Sequence, residues 1–374
     1  MGRRSRMDRT VPLDALRLTL ISKDFVDHEH FISMPKIGLI GFGKMGRIRR
    51  DAIADCGKGT VVVAHDPCAT DFCGIPSVRT PGEVIAYPGL DAVFIATPNY
   101  QNKPLTIAAL RAGKHVFCEK PPAFTGADVE EIRAVEAASG CKLMYGFNHR
   151  HHASIRTMKE RVDSGRYGRL LWMRGRYGKS VDRNYFSTWR AKKELAGGGI
   201  LLDQGIHMLD LFLLMAGDFD EIQGMVSSLY WRLDGIEDNV FVNMRNRQTG
   251  VVASLHSTMT QWRHLFSFEV FLERGHIVLN GLKTQSGSYG DEILTVAKNR
   301  ATSPAATWED EEKTIFHADT SWTDETNYFL ECIATDRPVV TGSSADALRV
   351  MRVIDTIYLA ERHHRDDLHQ DLLH

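Results

Sequence analysis

Between a short apolar run, Lys36 to Ile40, and a stretch of helix-forming character from Arg47 to Ala54, the chain carries three glycines in the spacing Gly41-x-Gly43-x-x-Gly46. A strand that turns at once into a helix has few backbone solutions. The first glycine makes the tight turn, the second lets a phosphate come close to the backbone, and the third lets helix pack on strand. Lys44 and Met45 stand at the helix start, where free N–H groups and the helix dipole favour an anion. By itself such a turn also suits a plain strand-to-helix connection, and its surroundings decide. Thr60 to Asp66 is a β-branched apolar run that ends in an acid before Pro67. Asp66 lies 20 residues after Gly46, where a carboxylate accepts hydrogen bonds from ribose hydroxyls. It repels a 2′-phosphate, so NAD is expected rather than NADP, with Arg47 as a partial counterweight.

The alternation continues with a helix opening at Pro81, an apolar run Asp91 to Ala96, a helix Lys103 to Ala112, an apolar run Lys114 to Cys118, a helix Ala127 to Ala138 and a run Lys142 to Phe147. Strands and helices in this order predict an α/β Rossmann domain with a doubly wound parallel sheet over residues 34–152. The pattern then changes. From Glu221 to Ala297 there are six strand-like runs: Glu221 to Arg232, Asn239 to Asn246, Val251 to Thr260, Phe266 to Glu273, His276 to Asn280 and Glu292 to Ala297. Helical segments are expected at Ala153 to Ser164, Gly199 to Ala216, Thr323 to Thr335 and Ser344 to Arg362. Residues 153–362 are therefore expected to form an α+β domain with a large, mainly antiparallel, open-faced sheet. Helices cover one face, and the other is expected to be buried in a homo-oligomer, a dimer or tetramer.

At 374 residues two domains are the natural expectation. A formal charge of -1 gives no reason to expect nucleic acid or an anionic membrane as partner. The six cysteines form no CxxC pair, so neither a zinc site nor a disulfide framework is indicated and a cytoplasmic location is expected. No uninterrupted apolar run approaches the roughly 20 residues that span a bilayer. Residues 1–33 are basic and polar at their start and read as an extension. It is either untranslated, with Met34 as the start, or disordered, or an arm over the cofactor or a partner subunit. Residues 363–374 read as a polar tail.

Two further segments carry chemistry. Lys120, in Cys118-Glu119-Lys120-Pro121-Pro122, follows a buried strand at the end where open sheets bind ligands. In the segment Gly197 to Asp210, a helix would put Asp203 and His207 four residues apart on one face, with three glycines before them for close approach to another backbone or a ligand. Such a pair can also be purely structural.

With these landmarks in this order, the chain resembles the Gfo/Idh/MocA oxidoreductases from about Pro35 to about Arg362. The matching segments are GLIGFGKMG, FIATPN, GKHVFCEKPP, YGFNHR, STWRAKKELAGGGILLDQGIHMLD and ALRVMRVIDTIYLA. Asn102 departs from the histidine that many members carry after the TPN turn. The resemblance implies a catalytic set of Lys120, Asp203 and His207, with no metal. His207, with an ordinary pKa of about 6.5, suits the removal of a hydroxyl proton. Lys120 would stabilise the developing oxyanion, and Asp203 would orient Lys120 or a neighbouring hydroxyl. It also implies cofactor contacts from Thr97, Pro98, Asn99, Glu119, Lys120 and Asn148, with Trp189 and Arg190 near the nicotinamide. Arg150, Tyr185, Trp189 and Arg190 are the substrate-pocket candidates beside the catalytic set.

Within the family, the segment around the three glycines is most similar to members that act on nucleotide-linked sugars. The implied substrate is a hexose such as UDP-N-acetylglucosamine, oxidised at C3 for surface polysaccharide or lipopolysaccharide precursors. Arg150, Arg174, Arg176, Arg183 and Arg190 are candidates to meet its diphosphate. Two other readings stay open: a dehydrogenase for a free sugar or polyol of the inositol type, and a catalytically silent NAD-binding regulator.

Overall fold

A computed structural model describes residues 34–298 and 307–371, with backbone only over 362–371; the extension 1–33 lies outside the described residues. β1 (Lys36–Ile40) turns into α1 (Lys44–Cys56), followed by β2 (Thr60–His65), α2 (Pro81–Ile85), β3 (Ala92–Ile95), α3 (Asn102–Arg111), β4 (His115–Glu119), α4 (Gly126–Ser139) and β5 (Leu143–Gly146). The five strands are parallel in the order β2-β1-β3-β4-β5. The order reverses at β1, so the turns after β1 and β3 diverge and leave a crevice at the carboxyl ends. Side chains on both faces are buried, as the apolar character of these strands requires.

The second sheet has eight strands in the order β13-β12-β11-β10-β6-β9-β8-β7, antiparallel except for the parallel pair β6 and β9. It begins after α5 (Ala153–Asp163) with β6 (Leu170–Ser180), a central strand that the expected pattern lacks. LLWMRGRYGKS places Arg174 and Arg176 outward between the buried Met173, Gly175 and Tyr177, the alternation of a half-buried strand. Next come the short α6 (Lys193–Ala196), a π-turn Leu201–Gly205 that runs into α7 (Ile206–Ala216), then β7 (Glu221–Ser227), β8 (Asn239–Arg245), β9 (Val252–Thr258), β10 (Thr260–Leu272), β11 (Gly275–Asn280), β12 (Glu292–Lys298) and β13 (Glu311–Phe316). The last is a polar edge strand, EEKTIF, also absent from the expected set. α7 crosses the sheet at Gly175, where a Cβ would stand 2.4 Å from Met208.

The stretch Lys193–Ala216 is long and apolar enough to cross a bilayer by length and composition, but 78% of its most apolar window is buried inside the protein. It is the core helix of the second domain.

α8 (Ser321–Ala334) and α9 (Ser344–Asp371) close the chain. A boundary at residue 152 does not divide the core, because α8 returns to the first domain. Phe329 meets Phe94 and Phe117 edge-on at 5.8 and 5.7 Å, and the buried Arg49 of α1 bonds Glu119 and Glu325 at 2.6 Å each. α9 continues to Asp371, so most of the expected polar tail is helical. On the uncovered face of the sheet Trp172 stacks on Phe271 at 3.8 Å, Phe241 on His256 at 4.0 Å, and Arg174 pairs with Glu269 at 2.8 Å.

Candidate active site

The carboxyl ends of β1, β3 and β4 form one wall of a cleft of about 800 Å³, and the second domain forms the other. At the glycine turn, Gly41 has φ +93 and a Cβ there would lie 2.3 Å from Ala96 O, while a Cβ on Gly46 would lie 2.0 Å from Gly41 O. Neither position admits another residue without movement. Gly43, in contrast, has nothing within 4 Å of where its Cβ would be, and it leaves α1 without a side-chain cap or a first-turn acid. The first-turn N–H groups at Gly43, Lys44 and Met45 are thus offered to the cleft, as a pyrophosphate requires. Asp66 lines the cleft and braces the turn: Oδ2 accepts the Phe42 N–H at 2.7 Å, and Oδ1 accepts the Cys68 N–H at 2.7 Å. Arg47 is turned away, bonded to Asp71 O at 2.8 Å.

Thr97, Pro98, Asn99, Glu119, Lys120, Asn148, Trp189, Arg190, Asp203 and His207 all line the same cleft. Asn102 knits it together: it accepts from Thr97 Oγ1 at 3.1 Å and donates to Glu119 O at 3.2 Å and Pro121 O at 2.8 Å. The buried amide thereby ties the β3 turn to the lysine segment.

Asp203 is the charged centre of the site. Lys179 Nζ lies 3.0 Å from its Oδ2, and Arg190 Nε and Lys120 Nζ lie 3.6 and 3.7 Å from Oδ1. Burial works against its ionisation, but the Lys179, Lys120 and Arg190 cations hold it well below the usual carboxylate range. Lys120 also donates to the main-chain carbonyl of Asp203. Burial lowers the Lys120 ammonium from its ordinary value against the pull of Asp203. His207 is lowered well below the ordinary imidazole value by burial and then by Lys120, so its ring is neutral and able to accept a proton. Its Nδ1 is buried with no partner among the described residues.

Two sequence candidates lie elsewhere. Arg150 is buried away from the cleft in a bidentate pair with Asp210 at 2.8 and 2.6 Å, and it reaches Asp346 at 3.0 Å. Its charge is consumed in joining the segment after β5 to α7 and α9. Tyr185 is a buried anchor whose hydroxyl donates to Arg190 O at 3.1 Å, fixing the Arg190 loop without touching the cleft. The three glycines before Asp203 are packed against protein rather than opened to a ligand: a Cβ would stand 2.4 Å from the Phe124 ring at Gly197, 2.4 Å from the Tyr358 hydroxyl at Gly198 and 2.1 Å from Glu237 O at Gly199.

Sequence reasoning also missed cleft residues. Lys179, the nearest cation to Asp203, comes from the unrecognised β6. It faces a bulge where β10 departs from register between Thr260 and Leu265. His149 and His152 line the cleft beside His207; the histidine-rich run His149-Arg150-His151-His152 was a visible signal. Thr284, Gln285, Ser286, Ser288 and Tyr289, from the loop between β11 and β12, complete the second wall.

Two family models match the chain. The oxidoreductase family with NAD-binding Rossmann fold, GFO/IDH/MocA, matches residues 35–147, and the GFO/IDH/MocA C-terminal domain matches residues 155–278. Together they cover more than half of the chain, which belongs to the Gfo/Idh/MocA oxidoreductase family and carries its NAD-binding Rossmann domain. Among relatives, 1,5-anhydro-D-fructose reductase of Ensifer adhaerens is 34% identical over 212 residues, 56% of this chain and 62% of that protein. Myo-inositol 2-dehydrogenase of Thermotoga maritima is 28% identical over 196 residues, 49% of this chain and 55% of that protein. The alignments thus span less than two thirds of either relative. Levoglucosan dehydrogenase, solved with NADH and levoglucosan, superposes with a TM-score of 0.77 at 24% identity, covering 88% of this chain and 97% of that one, a likeness of fold.

Proposed function

We propose that the chain transfers a hydride between NAD and a secondary hydroxyl of a free sugar or polyol. The observation that carries the substrate class is the make-up of the cleft. Of the five arginines weighed for a diphosphate, only Arg190 lines it. Arg150 is locked by Asp210, and Arg174 and Arg176 point outward from the sheet. The cleft shared with the catalytic set is lined instead by the hydroxyl and amide groups of Thr284, Gln285, Ser286 and Ser288. Groups that both donate and accept suit an uncharged ring bearing several hydroxyls. The named activities of the anhydrofructose reductase and inositol dehydrogenase relatives concern free sugars and polyols as well.

In this reading His207 takes the proton of the reacting hydroxyl, Lys120 stabilises negative charge on the oxygen as the carbonyl forms, and Asp203 holds Lys120 in place. Gly41, Gly43, Lys44, Met45 and Gly46 cradle the pyrophosphate, Asp66 meets the ribose, and Thr97, Pro98, Asn99, Glu119, Asn148, Trp189 and Arg190 surround the rest. Bound there, NAD supplies the hydride acceptor. The uncovered sheet face, with Met225 63% and Phe241 44% exposed, supports self-association through that surface.

The test is a panel of levoglucosan, myo-inositol, D-glucose and UDP-N-acetylglucosamine with NAD, followed by absorbance of the reduced nicotinamide. Turnover of a free sugar or inositol is expected. Turnover confined to the UDP-sugar would restore the nucleotide-sugar reading, and none on any carbohydrate would favour a silent NAD-binding protein.

A further inference from the structure

Taking a proton puts a positive charge on His207, in a place where burial and Lys120 both oppose it. The groups around its ring are Lys120 just after β4, Asp203 on its own helical segment, His149 and His152 from the segment after β5, and Tyr177 of β6. Of its two ring contacts, His149 is the nearer: the two imidazoles lie flat on each other, with centroids 3.9 Å apart and planes 15° from parallel, whereas the Tyr177 ring is 6.3 Å away.

The protonation of His149 follows from a directed chain of hydrogen bonds. Ser321 Oγ donates to Asp319 Oδ1 at 2.6 Å, so it accepts from the Asn148 amide nitrogen at 3.1 Å. The Asn148 oxygen is then turned to His149 Nδ1 at 3.1 Å, which must carry the hydrogen. His149 Nε2 is left to accept the Tyr177 hydroxyl at 3.0 Å. Both nitrogens are satisfied in one neutral tautomer, and the ring is buried.

We propose that His149 is a positioning residue for His207: a neutral ring, locked by Asn148 and Tyr177, that fixes the plane of His207 and stabilises its imidazolium through the π face. A cation over a desolvated aromatic face gains enough to matter at this step. The proton moves from the substrate hydroxyl to His207 alone; His149 neither gives nor receives it. Asp203 offsets the charge through its carboxylate and the His149 ring through its π face.

The inference rests on His207 being the proton acceptor, and the experiment separates the two. His149→Phe keeps a flat ring and loses the hydrogen bonds, whereas His149→Leu loses the ring. With whichever of levoglucosan, myo-inositol and D-glucose the protein oxidises, His149→Leu is expected to lose about 2- to 30-fold in kcat. Its solvent isotope effect should rise, with NAD affinity by titration unchanged. His149→Phe should recover most of kcat. Histidine-ring NMR of the protein without substrate, assigned with His207→Gln, should show His207 titrating at lower pH in His149→Leu than in the parent. If His149→Leu fails to fold, His149→Gln takes its place. A His207 titration and kcat unchanged by losing the ring, or a His149→Phe variant as impaired as His149→Leu, overturns the proposal. Hydride transfer surviving in His207→Ala would instead remove the reading beneath it.

Discussion

The two walls of the cleft are built by different means. The Rossmann wall presents main chain: the glycine turn, the first-turn N–H groups of α1 and the turn after β3, each placed by residues a few positions away. The opposite wall presents side chains brought together over long separations, with Lys179 on β6, Asp203 and His207 on the α7 segment, and hydroxyls from the loop before β12. A backbone cradle has one workable geometry and tolerates little change. The side-chain wall can be altered residue by residue, which is how one fold takes up many substrates.

The sharpest break between the walls is His207→Ala. It should cost roughly 10²- to 10⁴-fold in kcat while NAD still binds, because proton transfer is lost and the cradle is untouched. Steady-state kinetics beside a fluorescence titration with NADH would show it. If NADH binding fell in step with kcat, the walls would not be independent.

That independence explains what could be read from the sequence. Gly41, Gly43, Gly46 and Asp66 announce themselves because the strand, the turn and the helix that give them meaning are adjacent in the chain. β6 went unseen because Gly175 thins the apolar signal on its core side and Arg174 and Arg176 give its solvent side a strongly basic character, and with it went Lys179. The loop from Leu282 to Tyr289 carries no periodicity, so its hydroxyls had no assigned place. Arg150 was misplaced because Asp210 and Asp346, which neutralise it, lie far along the chain. A buried pair is invisible until the fold supplies the partner.

Arg150 and Arg190 make the comparison quantitative. Arg150→Met leaves Asp210 buried without its bidentate partner and should destabilise the fold by about 3–5 kcal/mol, with KM in the surviving protein unchanged. Denaturant unfolding beside kinetics would reveal it, and a raised KM at unaltered stability would return Arg150 to the substrate site. Lys179→Met acts on the other wall. Asp203 loses its nearest cation, and the misplaced carboxylate should lower kcat by up to about 10²-fold with stability little changed.

Behind the Rossmann wall Arg49 bonds Glu119, which lines the cleft, and Glu325 from α8, and this contact is expected to respond to pH. Burial, outweighing the pull of an Arg49 that Glu119 already shares, pushes Glu325 up to about 8. Between its ordinary value of 4.5 and about 8 the folded protein holds a proton that the unfolded chain has released. Stability therefore falls as pH rises through that window. Glu325→Gln removes the titration while leaving an oxygen for Arg49, so its thermal midpoint should decline less than the parent's between about pH 5 and pH 8. Parallel curves for the two proteins would show that Glu325 is ionised throughout.

The smallest effect tests the substrate wall alone. Ser286 and Ser288 share a 2.6 Å hydrogen bond and both line the cleft, so a bound sugar hydroxyl would replace or extend a bond that already orients them. Ser288→Ala removes one such group. A neutral hydrogen bond contributes about 0.5–1.5 kcal/mol net, so KM for the sugar should rise by about 2- to 13-fold, with kcat and NAD affinity held. An effect on NAD affinity of the same size would place this loop over the cofactor instead, and the hydroxyls would lose their role in selecting the substrate.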